Sequence, residues 1–171
     1  VLPLSNCAYL QPLLQDFNLI LTEEEQTLSG HLAAEIRKEM PILEESRETQ
    51  KVKTIGERLE SALPAHDFNY EFFLVQDESP NAFTIPGGKI YVHSGLLQFT
   101  DDPGLAGVIA HEIGHAYERH PAKSLSRAYG VDALSQAIFR GKQGGMRGMA
   151  LRLAQGGFLT TYSREDEREA D

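Results

Sequence analysis

Leu105-Ala106-Gly107-Val108-Ile109-Ala110-His111-Glu112-Ile113-Gly114-His115-Ala116-Tyr117 is an apolar helical run with three ionisable side chains near its centre. Asp102 followed by Pro103 reads as its N-cap and first helical residue, and the helix is predicted to run to about Arg119 and stop before Pro121. His111 and His115 are four residues apart, about 400° of helical rotation, so they stand one above the other. Two imidazoles so placed can bind one Zn²⁺ through bonds of about 2.0–2.1 Å. Glu112 projects at an adjacent angle and can reach a water in the metal's shell without being a ligand. On a helical wheel it falls among Leu105, Val108, Ile109, Ile113 and Ala116. Burying a carboxylate in such a stripe is costly unless it has a partner, and zinc-bound water would be one. The five-residue H-E-x-x-H pattern alone occurs by chance; its uncharged flanks raise it above that level.

A catalytic zinc needs a third protein ligand and one open position. A His six residues after the second His, as in metzincins, is excluded, because Pro121 stands there and Glu118 replaces the usual Gly. His120 is one position short and, on a continuous helix, turned about 140° from the pair. It reads as a surface histidine or one behind the ligands. The remaining route is a carboxylate on a later helix. Tyr162-Ser163-Arg164-Glu165-Asp166-Glu167-Arg168-Glu169-Ala170-Asp171 supplies candidates, with Ser163 as N-cap. Acids in a first turn also suit the helix dipole, so a solvated helix start explains them equally well. Spacing does not select one acid. Glu167 and Asp171 are i, i+4 and share a face, as a ligand and an acid bonded to a ligating imidazole would.

Outward from this centre the pattern alternates between helices and a few strands. Residues 1–20 lack a clear period and read as an N-terminal arm; 21–171 read as one domain. Thr22 and Glu25 form an apparent capping box, Leu28, Leu32, Ile36 and Met40 follow at helical spacing, and Pro41 ends the helix. A second helix is predicted from about Glu48 to Leu63. Asn69–Gln76, Asn81–Ile85 and Lys89–His93 read as strands, with Pro86-Gly87-Gly88 as a turn and a short helix over Gly95–Phe99. Another helical region covers about Ala122–Phe139. Residues 141–157 hold Gly141, Gly144, Gly145, Gly148, Gly156 and Gly157 around Met146 and Met149. They read as a mobile loop, alternatively a lid or a docking segment. The last helix is still running at Asp171, which reads as a fragment of a longer protein.

Composition removes several classes. The 171 residues carry 16 Lys+Arg against 25 Asp+Glu, a formal charge of −9, which argues against nucleic acid as a partner. No run approaches the roughly 18 uncharged apolar residues of a membrane span. Cys7 is the single cysteine, so no internal disulfide forms. Leu4-Ser5-Asn6-Cys7 faintly matches a lipoprotein attachment site, but Asn6 fits poorly and a free thiol is expected. With no starting Met and no visible signal peptide, the chain reads as a mature or trimmed form.

Three blocks together resemble the CAAX prenyl protease and HtpX-like zinc metallopeptidases, which are gluzincins, and most closely the soluble bacterial branch that includes BepA. They are Asn81-Ala82-Phe83 with Pro86-Gly87-Gly88, Tyr91-Val92 and Gly95-Leu96-Leu97; His111-Glu112-Ile113-Gly114-His115; and Ser163-Arg164-x-x-Glu167-x-x-Ala170-Asp171. The resemblance runs from about Glu23 to Asp171. The helix-rich pattern with one small sheet reads as an α+β fold, mostly helical; with the resemblance it is expected to be zincin-like, with a small, mainly antiparallel sheet beside the H-E-x-x-H helix. The resemblance implies that Glu167 is the third zinc ligand with His111 and His115, that Asp171 supports a ligand from behind, and that Glu112 is the general base. Asn81, Ala82 and Phe83 would border a cleft where an extended polypeptide substrate adds on as a strand. The implied activity is zinc-dependent hydrolysis of internal peptide bonds, of misfolded or envelope proteins, in the periplasm or cell envelope. Peripheral membrane association or a C-terminal partner domain is compatible with it. Tyr162, Arg164, His93 and His120 are candidates for a second electrophile. The main rival is a zinc-stabilised chaperone or binding module for unfolded chains, with the same ligands and no turnover.

Overall fold

The computed structural model describes the backbone of residues 20–140, 143–160, 162 and 164–171. Cys7, Gly141, Ser163 and the arm before Ile20 lie outside the described residues; Ile20 itself is buried in the core. The elements are α1 (Thr22–Glu39), β1 (Ile42–Leu43), α2 (Arg47–Glu60), β2 (Glu71–Val75), β3 (Ala82–Ile85), β4 (Lys89–His93), α3 (Leu96–Phe99), α4 (Asp102–Tyr117), α5 (His120–Arg140), α6 (Gln143–Thr160) and α7 (Arg164–Ala170). The fold is α+β and mostly helical.

The sheet has the order β1-β2-β4-β3. It is mixed: β1/β2 and β3/β4 are antiparallel, while the central pair β2/β4 is parallel. Side chains alternate across a strand, and this divides the core in two. Phe72, Leu74, Ala82, Ile90 and Val92 face α2 and α4, packing with Val52, Leu105, Ile109 and Ile113. Val75, Phe83, Ile85 and Tyr91 face α1, α5 and α6, packing with Leu28, Leu32, Ile36, Leu125, Met146, Met149 and Leu153. The sheet is thus sandwiched between two helical layers. Thr84, two residues from Ala82, is carried to the α4 side.

Several expectations are corrected. Residues 143–160 form α6 rather than a loop. Met146, Met149, Ala150 and Leu153 recur at helical spacing and are each 2% exposed or less, whereas Gly145 and Gly148 meet no neighbouring atom on the outer side. Helical glycine costs about 1 kcal/mol against alanine, less than the ~1.5–3 kcal/mol gained by burying each Met or Leu. At the start of α1 the capping pair is one residue earlier than predicted: Glu24 Oε2 accepts from Leu21 N at 3.0 Å. The N-cap of α4 is Asp101, whose Oδ1 accepts from Gly104 N at 2.9 Å, so Asp102 opens the helix. The helix ends at Tyr117, and Arg119 adopts a left-handed φ of 57°. The next helix therefore begins at His120, with Pro121 in its first turn where no amide is needed. It kinks at Gly130, whose φ is 73°.

The α2 helix sits so close to β2 that a Cβ at Gly56 would meet the Phe72 ring at 2.5 Å. Gly56→Ala gains about 1 kcal/mol in helix propensity but overpacks the core at about 1–3 kcal/mol. The expected net is destabilisation, read as a Tm lower by roughly 2–4 °C in thermal unfolding.

Candidate active site

The i, i+4 spacing places His111 and His115 on one face of α4, and both Nε2 atoms converge, 3.0 Å apart. The facing element is α7. Glu167 Oε2 lies 3.4 Å from His111 Nε2, and Glu167 Oε1 lies 3.7 Å from His115 Nε2. A tetrahedral ion with bonds of about 2.0–2.1 Å separates its ligands by roughly 3.3 Å. The three separations bracket that value, so the donor set fits zinc. Burial and the neighbouring His111 and His120 hold the His115 imidazole down to about 3, so it is neutral and has a lone pair to offer at neutral pH.

The close approach of α7 is made possible by Gly114. A Cβ there would fall 2.9 Å from Ala170 Cα and 3.0 Å from its carbonyl carbon. Other acids in and just after α7 meet the histidines from behind. Asp171 Oδ1 is 3.0 Å from His111 Nδ1. His120, fully buried, has its Nδ1 3.0 Å from His115 Nδ1 and its Nε2 3.0 Å from Glu169 Oε2. Asp166 Oδ1 is 3.7 Å from the same His120 Nε2, and Asp166 Oδ2 accepts from Arg127 at 2.6 Å. Tyr162 stacks on the His115 ring, centroids 3.9 Å apart.

Glu112 is 1% exposed. Its Oε2 accepts from Thr84 Oγ1 at 2.8 Å, while Oε1 has no hydrogen-bond partner among the described residues. Burial pushes the carboxyl up to about 7, against the opposing pull of the Thr84 hydroxyl and His111. A buried, half-satisfied carboxylate beside three convergent donors is the charge that a bound cation and its water would compensate.

Of the other candidates, Tyr162 and His120 join the site. Arg164 is exposed at the start of α7. His93 lies at the far end of β4, its Nδ1 2.8 Å from Ser79 Oγ and its ring edge-on to Phe83. Ala82 and Phe83 are buried, Phe83 stacks on Tyr91, and Asn81 Nδ2 donates to Ala154 O at 3.4 Å. Side chains of this block are therefore committed to the fold, and the whole of β3 is buried, with α6 packed against it. The sequence reading missed Thr84. Strand alternation from Ala82 was the available signal for Thr84.

The family description "Peptidase family M48" matches residues 46–171, which include β2, β3, α4 and α7. The chain belongs to peptidase family M48. This M48 chain is 29% identical over 160 residues to a beta-barrel assembly-enhancing protease of Yersinia pestis, covering 87% of this chain and 33% of that protein. It is 27% identical to the protein of the same description in Escherichia coli (strain K12), covering 86% and 32%. It is 32% identical over 126 residues to the mitochondrial metalloendopeptidase OMA1 of Schizosaccharomyces pombe, covering 72% and 36%. The M48 chain thus spans about a third of the length of these relatives. Among its described residues, no helix is long and apolar enough to cross a membrane.

Two expectations follow. With the Glu112 carboxyl near 7 in the fold and near 4.5 unfolded, ionisation is resisted by the folded state. Below about pH 4.5 both states are protonated and nothing is lost; as pH rises through 7 the metal-free protein loses up to ~3 kcal/mol. Metal-free Glu112→Gln should therefore be the more stable protein at about pH 8, with the gap closing near pH 4.5 in denaturant titrations. Gly114→Ala should push α7 away and weaken zinc binding by about 10-fold or more in a competition titration; an unchanged affinity would mean that this contact does not position Glu167.

Proposed function

We propose that this chain is a zinc-dependent endopeptidase unit that hydrolyses internal peptide bonds of polypeptides presented as extended strands. The observation that carries the reading is the buried Glu112, held at one oxygen by Thr84 and open at the other beside His111, His115 and Glu167. A purely structural metal site has no use for such a carboxylate.

His111, His115 and Glu167 would hold the ion. When bound there, zinc would supply Lewis-acid polarisation of the scissile carbonyl and of the attacking water. Glu112 Oε1 takes the proton of that water as it attacks, and the same carboxyl delivers the proton to the departing amine. Thr84 fixes Oε2 and so aims Oε1.

The substrate edge is β3. Asn81 O accepts from His93 N at 2.9 Å, so the β4-facing positions are Asn81, Phe83 and Ile85. The backbone groups of Ala82 and Thr84 point away from β4. β3 is buried with α6 packed against it, so a peptide adds along this edge once α6 withdraws; it is then held through main-chain bonds, with little demand on its sequence, and passes the strand position that contacts Glu112. Misfolded or envelope proteins fit this mode, and the beta-barrel assembly-enhancing relatives support a site in the periplasm or cell envelope.

Casein cleavage by zinc-loaded wild type beside Glu112→Gln, at matched zinc content and folding, tests this. The variant is expected to lose about 10²–10⁴-fold in kcat, and a chelator should abolish wild-type activity until zinc is returned. Equal activity in both would overturn the assignment of Glu112. Silence from both with zinc bound would favour a zinc-stabilised binding module for unfolded chains.

A further inference from the structure

His120 is buried with both ring nitrogens engaged: Nδ1 with His115 Nδ1 at 3.0 Å, Nε2 with Glu169 Oε2 at 3.0 Å and Asp166 Oδ1 at 3.7 Å. The directions of these bonds are constrained. A carboxylate only accepts, so the proton of a neutral His120 is on Nε2. Its Nδ1 is then a lone pair and must accept. The donor is His115 Nδ1–H, which leaves His115 Nε2 with its lone pair toward His111 Nε2 and Glu167. The reverse order would put the His115 proton on Nε2, in the ion's place.

The chain is built to bring His120 there. On a continuous helix it would point away from His115. Instead α4 ends at Tyr117, Arg119 turns through a left-handed φ of 57°, and His120 opens α5 with its ring folded back under His115. A non-glycine residue rarely adopts this left-handed conformation, and here its side chain anchors the turn. Arg119 Nε donates to Glu25 Oε2 at 2.7 Å and its guanidinium donates to Ile20 O at 2.9 Å.

We propose that His120 is a positioning residue for the metal: carboxylates of α7 order its protons, and it in turn fixes His115 as an Nε2 ligand. This rests on the zinc reading above. It makes the α7 segment through Asp171 act on both imidazoles, directly on His111 through Asp171 and through His120 on His115.

The test has two arms. In the first, zinc affinity and stoichiometry are measured by chelator competition on wild type, His120→Leu and His120→Asn, with folding checked by circular dichroism. Wild type is expected to bind one zinc per chain. His120→Leu should bind about 10–100-fold more weakly. His120→Asn places an amide oxygen where Nδ1 was and should recover most of that loss. In the second, ¹⁵N-histidine NMR of zinc-loaded wild type should show the His115 proton on Nδ1, with a through-hydrogen-bond coupling to His120 Nδ1. This arm decides the matter if the Leu variant fails to fold. Wild-type affinity in His120→Leu, a proton on His120 Nδ1, or a second zinc bound by His120, Asp166 and Glu169 would each overturn the proposal while leaving the zinc site standing. A wild type that takes up no zinc would overturn both.

Discussion

The site depends on the contact between Gly114 and Ala170. With no side chain at 114, the backbone of α7 lies directly against α4. Three acids of α7 and Asp171 just beyond it then reach histidines: Glu167 between His111 and His115, Asp171 behind His111, and Glu169 with Asp166 behind His120. Taken alone, α7 is too short to be stable and too acidic to be buried. Its acids are useful because the helix is docked, and docking is allowed by one missing methyl group.

A second constraint is the charge of Glu112. The face of the sheet that receives α4 is otherwise apolar, built from Phe72, Leu74, Ala82, Ile90 and Val92. Thr84 is the strand residue that breaks this pattern, and it does so opposite Glu112. One hydroxyl offsets part of the desolvation and leaves the rest uncompensated, hence the carboxyl near 7. The opposite face of the sheet carries α1, α5 and α6 with aliphatic and methionine packing. The two faces divide the work: one face supplies hydrophobic stability, and the other spends part of it on a misplaced charge.

What was legible in the sequence was local. Helical spacing gives His111 above His115, and apolar flanks give the burial of Glu112, because both follow from one helix. The Tyr162–Asp171 acids were visible, but their use was not. A ligand supplied by another helix is a tertiary fact, and Glu167 came from resemblance rather than from spacing. Gly145 and Gly148 of α6 misled because they lie on its outer side, where they weaken the helix without touching the Met146–Leu153 face that holds it. His120 was misplaced for a different reason. Its direction is set by the left-handed turn at Arg119, and that turn is held by residues far away in the chain.

Glu25 is the clearest case. Its position near the start of α1 suggests a capping role, which Glu24 performs instead. Released from the helix end, Glu25 is 1% exposed and holds Arg119 at Oε2 and the Gly87 amide at Oε1, 3.1 Å away. Gly87 has a left-handed φ of 81° in the β3–β4 turn, and its missing Cβ would lie 2.7 Å from Ser29 Cβ of α1. One buried carboxylate thus joins two left-handed turns. The first ends the strand that carries Thr84; the second starts the helix that carries His120. A buried ion pair of this kind is weak evidence for stability, because desolvation offsets the Coulombic gain. Its consequence here is geometric. It fixes the hydroxyl that orients Glu112 and the imidazole that contacts His115 to a common point on α1, on the far side of the sheet from the ligands themselves.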